Sequence, residues 1–143
     1  MTKPGEFAPF TVDLIWSRDQ GRCVDCGRWV RRDRRGYPGT VGGWSVQHRV
    51  ARGAGGVSRR ALERRPWLIL AAAGVVMCGD GVTGCHGRAE TRDRARAYDL
   101  GFAIRDGMLR ADQSPILHAV HGWVLLDDEG GWEPFTEPGE LAA

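Results

Sequence analysis

An α+β fold is predicted for this chain, and three observations carry the prediction. Two stretches have the apolar spacing of amphipathic helices, one near the N-terminus and one beyond residue 85. Between them, and again in the last third, runs of alternating or continuously apolar side chains have the character of strands. Four cysteines fall in two pairs, Cys23/Cys26 and Cys78/Cys85, each pair next to one of these elements. Side chains return to one face every 3.6 residues in a helix and every second residue in a strand, so the two patterns are separable.

Residues 1–10, with Pro4, Gly5 and Pro9, are expected to form a flexible lead-in. From Thr11 the spacing of Val12, Ile15, Trp16 and Asp19 predicts a short helix capped by Thr11 and ended by Gly21. Cys23-Val-Asp-Cys26 follows, then Trp29, Val30 and an arginine run to Arg35, with Gly36-Tyr-Pro-Gly39 as a turn. In Gly43-Trp-Ser-Val-Gln-His-Arg-Val50, Trp44, Val46, His48 and Val50 share one parity, and Ser45, Gln47 and Arg49 the other. That alternation predicts a strand, with His48 on its apolar side.

Residues 51–56 are a glycine-rich loop, to which residues 58–65 add positive charge. The apolar residues 67–77 fit a buried strand or a short helix followed by one; the alanines at 71–73 favour helix, and Gly74 interrupts it. The strand is therefore placed at residues 74–77, leading into Cys78, with Asp80-Gly81 as a turn. Residues 86–100 are predicted as a helix stopped by Gly101. Residues 102–104 and 115–126 are strand-like, the latter forming a hairpin around His121-Gly122, followed by an acidic turn at residues 127–131 and a frayed tail. The organisation expected is a lead-in over 1–10, a domain over 11–104 and a C-terminal extension over 105–143.

At 143 residues the chain has room for one domain with a modest core. Its most apolar window, residues 67–77, is too short to span a bilayer. The first residues lack the basic, apolar, small-residue order of a secretion signal, so a cytoplasmic protein is expected. Thiols in such a compartment stay reduced, which favours metal over disulfides. The C-x2-C spacing of Cys23 and Cys26 is that of a zinc knuckle, and Cys78 with Cys85 can complete a tetrahedral thiolate set. Four cysteines buried merely as small hydrophobes are the alternative. A redox C-x-x-C is disfavoured, because no βαβ pattern surrounds it.

The net charge of +2 conceals an asymmetry. Residues 18–65 hold 13 arginines against four acids, a net of +9, whereas residues 111–143 hold seven acids and no Lys or Arg, a net of −7. Of the 20 basic residues all but Lys3 are arginine, the side chain that grips phosphate with two parallel hydrogen bonds. The middle of the chain could hold a polyanion; a merely solvated basic face is the alternative.

The densest chemistry lies in Cys78-Gly-Asp-Gly-Val-Thr-Gly-Cys-His-Gly-Arg-Ala-Glu90. On a helix His86 and Glu90, four residues apart, share a face and could hold one ion between them. Cys23-x2-Cys26, Trp44-Ser-Val-Gln-His-Arg49, Arg52-Gly-Ala-Gly-Gly56 and Cys78 to Glu90, in that order, resemble an HNH endonuclease of the ββα-metal type, and in particular the small proteins of this kind encoded by actinobacterial phages. The later Gly122-Trp-Val-Leu-Leu-Asp-Asp-Glu-Gly-Gly-Trp132 is similar to that group too.

The resemblance implies a ββα-metal core with a zinc knuckle, an N-terminal helix and a C-terminal hairpin. It implies DNA as substrate, His48 as the general base, and His86 and Glu90 as ligands of a catalytic divalent cation. Gln47 stands where relatives place Asp or His, and would coordinate through its amide oxygen. By ligand type that cation would be Mg²⁺, Mn²⁺ or Ni²⁺, while the four thiolates would take structural Zn²⁺. Arg49, Arg52, Arg88 and Arg92 are candidates for phosphate contacts. Phage relatives act beside the terminase in DNA packaging, which makes terminase an implied partner and the host cytoplasm the implied setting. The family's middle Asn is expected about five residues before Cys78, where this chain has Ala73. A zinc-stabilised DNA-binding module with weak or no catalysis is the alternative function. His118 and His121 are read as ordinary hairpin residues.

Overall fold

The structure is a computed structural model, and it describes residues 5–51, 57–105 and 109–136. Among them are four α-helices and two small antiparallel sheets, a mixed α+β arrangement. Among the described residues no helix is long and apolar enough to cross a membrane.

Helix α1 (Pro9–Asp19) starts two residues before the expected cap at Thr11. Proline suits the first helical position, since its fixed φ is already helical and its missing N–H would have no partner there. The helix ends in a Schellman motif: Gln20 N–H donates to Ser17 O at 3.2 Å and Gly21 N–H to Trp16 O at 3.3 Å. Gln20 takes the left-handed conformation, at φ 58°. The lead-in is not loose where it is described: Phe7 is buried and stacks on His48 at 4.4 Å between ring centroids.

Strand β1 (Trp44–His48) pairs with β2 (Gly74–Cys78) antiparallel, with Trp44 opposite Cys78 and His48 opposite Gly74. The strand expected at residues 74–77 is therefore present. Every residue of β2 is buried, as its continuous apolar sequence requires. Between the strands run the short helix α2 (Arg59–Arg64) and two 3₁₀ turns, one of them over Ala71–Ala73. Gly74 sets how closely the layers approach, because a Cβ there would lie 2.8 Å from both Ile15 Cδ1 and Phe7 Cζ. Helix α1 thus rests on the β2 backbone itself, and Trp16 meets Trp44 at 4.7 Å.

Two helices stand in place of the single helix expected at residues 86–100: α3 (Gly84–Glu90) and α4 (Arg94–Leu100). The break falls at Thr91, whose hydroxyl donates to Gly87 O at 2.8 Å while its backbone leaves helical geometry. A side chain that takes the carbonyl four residues back competes with the helix ladder. Residues 102–104 form no strand; Ile104 alone bridges to Val50, in parallel.

The C-terminal hairpin is present as β3 (Ile116–His118) and β4 (Gly122–Leu126), and a third strand that the sequence did not suggest, β5 (Trp132–Pro134), extends it. The turn expected at residues 127–131 joins β4 to β5, with Asp127 accepting hydrogen bonds from the backbone of Glu129 and Gly131.

Buried charge joins these parts. Asp19 is fully buried and accepts from Arg18 Nε at 2.8 Å, from the backbone N–H of Val76 at 2.9 Å and from His118 Nε2 at 2.8 Å. Arg18 also donates to the carbonyls of Ala71 and Gly74. His118 is no ordinary hairpin residue. Its Nδ1 accepts from Val120 N–H, so its proton sits on Nε2 and points at Asp19. Burial by itself would raise the Asp19 pKa, but Arg18 and the hydrogen bonds from His118 and Arg18 outweigh it and hold the carboxyl below its ordinary value. Asp19→Asn should therefore destabilise the fold by about 3–5 kcal/mol, since it leaves Arg18 buried without its charge partner. A depressed carboxylate stabilises the fold above its unfolded pKa and loses that effect as pH falls through its native one. Urea unfolding of the wild type should show a loss of stability below about pH 4, and Asp19→Asn should flatten that limb.

Candidate metal centre

Cys23 and Cys26 occupy the tight turn after α1, where Cys23 N–H donates to Arg28 O and Gly27 N–H to Cys23 O, each at 2.9 Å. Cys78 ends β2, and Cys85 lies in the first turn of α3. Gly79 makes the sharp link between them: its φ is +87°, and a Cβ would lie 2.0 Å from Thr83 O. The four Sγ atoms lie within 4.8 Å of one another, with Cys26 and Cys78 at 3.9 Å. Zn–S bonds of 2.3 Å in a tetrahedron place sulfurs about 3.8 Å apart, so the cluster can hold one metal ion such as zinc.

The surroundings suit thiolates. Cys85 N–H points at Cys78 Sγ at 3.4 Å, and Arg88 Nη2 donates to Cys85 Sγ at 3.0 Å. The Cys23 thiol, hydrogen-bonded to Cys26, brings Cys26 down to about 6, and the Cys23 and Cys85 thiols hold Cys78 far below the usual thiol range. In return, hydrogen bonds to Cys26, Cys78 and Cys85 push Cys23 far up. Cys85, despite its hydrogen bond with Cys23, is pushed up to about 12 by Cys78 and burial, so an ion would displace the protons of Cys23 and Cys85. Among the described residues these cysteines are the one group of three or more His, Cys, Asp or Glu side chains placed for a metal.

A second, smaller grouping lies beside it on α3. His86 Nε2 is 3.6 Å from Glu90 Oε1. The other ring nitrogen, Nδ1, makes a short hydrogen bond with Ser45 Oγ, and Ser45 Oγ also bonds Gly79 O at 2.8 Å. A carbonyl can only accept, so the hydroxyl proton goes to Gly79 and the hydroxyl lone pair receives Nδ1–H of His86. The neutral ring then carries its lone pair on Nε2, facing Glu90. An imidazole lone pair and a carboxylate at that distance repel unless a cation or a proton lies between them. With a proton on Nε2 the ring donates to Glu90 instead, and that hydrogen bond lowers the Glu90 pKa against the opposing effect of burial, with the charges of His86, Arg94 and His48 adding to the lowering.

Gln47 has the strand parity of Ser45, which places it on the face that meets His86. It is fully buried, and neither atom of its amide has a hydrogen-bond partner among the described residues. His48 has the other parity. Its ring lies on Phe7, as its apolar neighbours predicted, and its Nε2 bonds Gly5 O at 2.7 Å. That carbonyl fixes the proton on Nε2, so the neutral ring has its basic lone pair on Nδ1.

The four candidate phosphate arginines have different fates. Arg49 is fully buried and donates to the carbonyls of Ala72, Gly101, Ala111 and Ser114 at 2.8–3.0 Å, so it is a structural tie and not a surface grip. Burial and the nearby Arg18 bring its pKa down to about 9. Arg88 is turned towards Cys85 and Asp93. Arg92 is exposed, and Arg52 lies outside the described residues. Two participants escaped the sequence reading. Ser45 orients His86, for which its parity with Gln47 was the available signal. Arg96 chelates Asp25 through two hydrogen bonds of 2.7 and 2.8 Å, fastening α4 to the cysteine turn.

Comparison with protein-family models, curated proteins and solved structures finds no match to the chain. Metal analysis of the purified protein should find about one zinc per chain. Cys78→Ser should lose the ion and lower the melting temperature, and Co²⁺ substitution should give thiolate charge-transfer absorption in the wild type alone.

Proposed function

We propose that this chain is a metal-dependent endonuclease of the ββα-metal (HNH) type that hydrolyses DNA phosphodiester bonds. The observation that carries the reading is the His86–Glu90 pair: Ser45 orients His86 so that Nε2 faces a carboxylate 3.6 Å away, a geometry that calls for a proton or a cation between them. The unsatisfied amide of Gln47 on the same sheet face supports it, because a buried amide without a partner is costly unless something else engages it. The order β1, β2, α3 around these residues agrees with the proposed core.

His86, Glu90 and the Gln47 amide oxygen would hold a divalent cation such as Mg²⁺, Mn²⁺ or Ni²⁺, which supplies charge stabilisation at the phosphate oxygens. His48 would accept the proton of the attacking water, with Gly5 O orienting its ring. Although it lies on the other face of β1 from Gln47, it is at the strand end and within electrostatic reach of Glu90. The four thiolates hold zinc and set where α3 begins. Ala73 in place of the family's Asn favours a second reading, a DNA-binding module without catalysis. Against it, the loop after β1 has another tie: Arg49 N–H donates to Ala73 O at 2.8 Å, and the Arg49 guanidinium spans four more carbonyls. A role beside a phage terminase in DNA packaging belongs to the same proposal.

Plasmid cleavage tests it, with protein cleared of loosely bound divalent ions and its thiolate zinc verified by metal analysis. Nicking should appear on adding Mg²⁺, Mn²⁺ or Ni²⁺ and fall by about a hundredfold or more in His48→Ala. Glu90→Gln should raise the metal concentration needed. DNA binding without nicking under all three metals would establish the second reading instead.

A further inference from the structure

We infer that the arginine-rich segment between Cys26 and β1 is a stacking platform for unpaired nucleotides. Residues 28–42 carry five arginines and one acid, Asp33, a net of +4. Arg28, Arg31, Arg32 and Arg35 are exposed. Two aromatic rings stand out among them: Trp29 is 67 % exposed and Tyr37 48 %. Each has a guanidinium over its ring, Arg22 at 4.9 Å from the Trp29 centroid and Arg34 at 5.2 Å from that of Tyr37.

The exposure of these rings does not come from an unstructured backbone. Trp29 bridges to Arg22, Val30 N–H donates to Gly21 O at 3.0 Å, Arg31 N–H to Gly42 O at 2.9 Å and Gly36 N–H to Trp44 O at 2.7 Å. The same segment shows the contrasting case. Arg32 lies over Trp16 and Trp44, whose rings meet each other and are withdrawn into the fold. Trp29 and Tyr37 are therefore displayed by an ordered frame, with cations alongside.

Exposed π faces interleaved with arginine fit a strand of unpaired nucleotides, whose bases offer faces to stack on and whose phosphates offer charge. A duplex hides its base faces and would meet only the arginines. An acidic peptide has the charge without the bases. The inference rests on the nucleic-acid part of the proposed function but not on cleavage, and it narrows the substrate class to DNA with a single-stranded segment.

Fluorescence anisotropy with a labelled oligothymidylate and a hairpin duplex of equal phosphate number tests it, using the zinc-loaded full chain with neither chelator nor added divalent cation. Cleavage plays no part in this readout, so failure of the platform and failure of the nuclease reading are separable. Trp29→Ala and Tyr37→Ala should each weaken oligothymidylate binding by about tenfold and leave duplex binding nearly unchanged, with Trp29→Phe retaining most of the affinity. Arg31→Gln with Arg35→Gln should weaken both ligands and flatten the salt dependence. Zinc content and melting temperature verify each variant, and if Trp29→Ala fails that check, Tyr37→Ala and Trp29→Phe decide. Equal loss on both ligands, no loss on ring removal, or competition by an oligoglutamate as strong as by unlabelled oligothymidylate would overturn the inference.

Discussion

The carboxylate of Asp19 sits at the last turn of α1 with no exposure to solvent, and three separate parts of the chain converge on it. Arg18 neutralises it from the same helix, the Val76 N–H reaches it from β2, and His118 reaches it from β3. A buried charge must be paired and hydrogen-bonded or the fold does not tolerate it. The requirement therefore fixes the rotation of α1 on the sheet and the seating of the C-terminal meander against both. His121 reinforces the seating, with Nε2 donating to Arg18 O at 2.9 Å and its ring stacked on Trp132.

Around this frame the cysteine cluster governs the candidate site. Cys23 and Cys26 follow α1, Cys78 ends β2 and Cys85 opens α3, so gathering the four sulfurs sets α3 against the sheet. His86 follows Cys85 directly, and the position of α3 brings it onto Ser45 of β1. The knuckle also bridges the two sheets: Val24 N–H donates to Val76 O and Val24 O accepts from Ala119 N–H. An ion held in the cluster would therefore sit between the placement of α3, which carries His86 onto Ser45, and the backbone bonds of Val24 that join the two sheets.

Arginine, which dominates the basic composition, divides into two populations. Arg18, Arg49 and Arg96 are consumed by carbonyls and carboxylates inside the fold or between its elements, and Arg88 leans on a cysteine sulfur. The arginines of residues 28–35 stay largely at the surface with exposed rings between them. A charge count along the sequence weighs the two populations equally. A guanidinium wrapped by four carbonyls, such as that of Arg49, cannot turn outwards to a phosphate, so direct contacts to a polyanion fall to exposed arginines such as most of those in residues 28–35, Arg59, Arg60 and Arg92.

What the sequence determined by itself was whatever depends on local spacing. The C-x2-C turn, the alternation over Trp44 to His48, the strand entering Cys78 and the hairpin near His121 all follow from the geometry of a few adjacent residues, and His48 lies on the apolar side that its parity assigned. The tertiary structure decided what depends on partners far along the chain. Arg49 reads locally as one more exposed cation, yet its acceptors lie 23 to 65 residues away. His118 reads as a hairpin residue, yet its partner Asp19 is 99 positions distant. The break at Thr91 also escaped local reading, because a threonine within a helical pattern ends the helix only where its hydroxyl takes the carbonyl behind it. Side-chain periodicity records which face a residue occupies; which atoms meet it there is settled only when the elements pack.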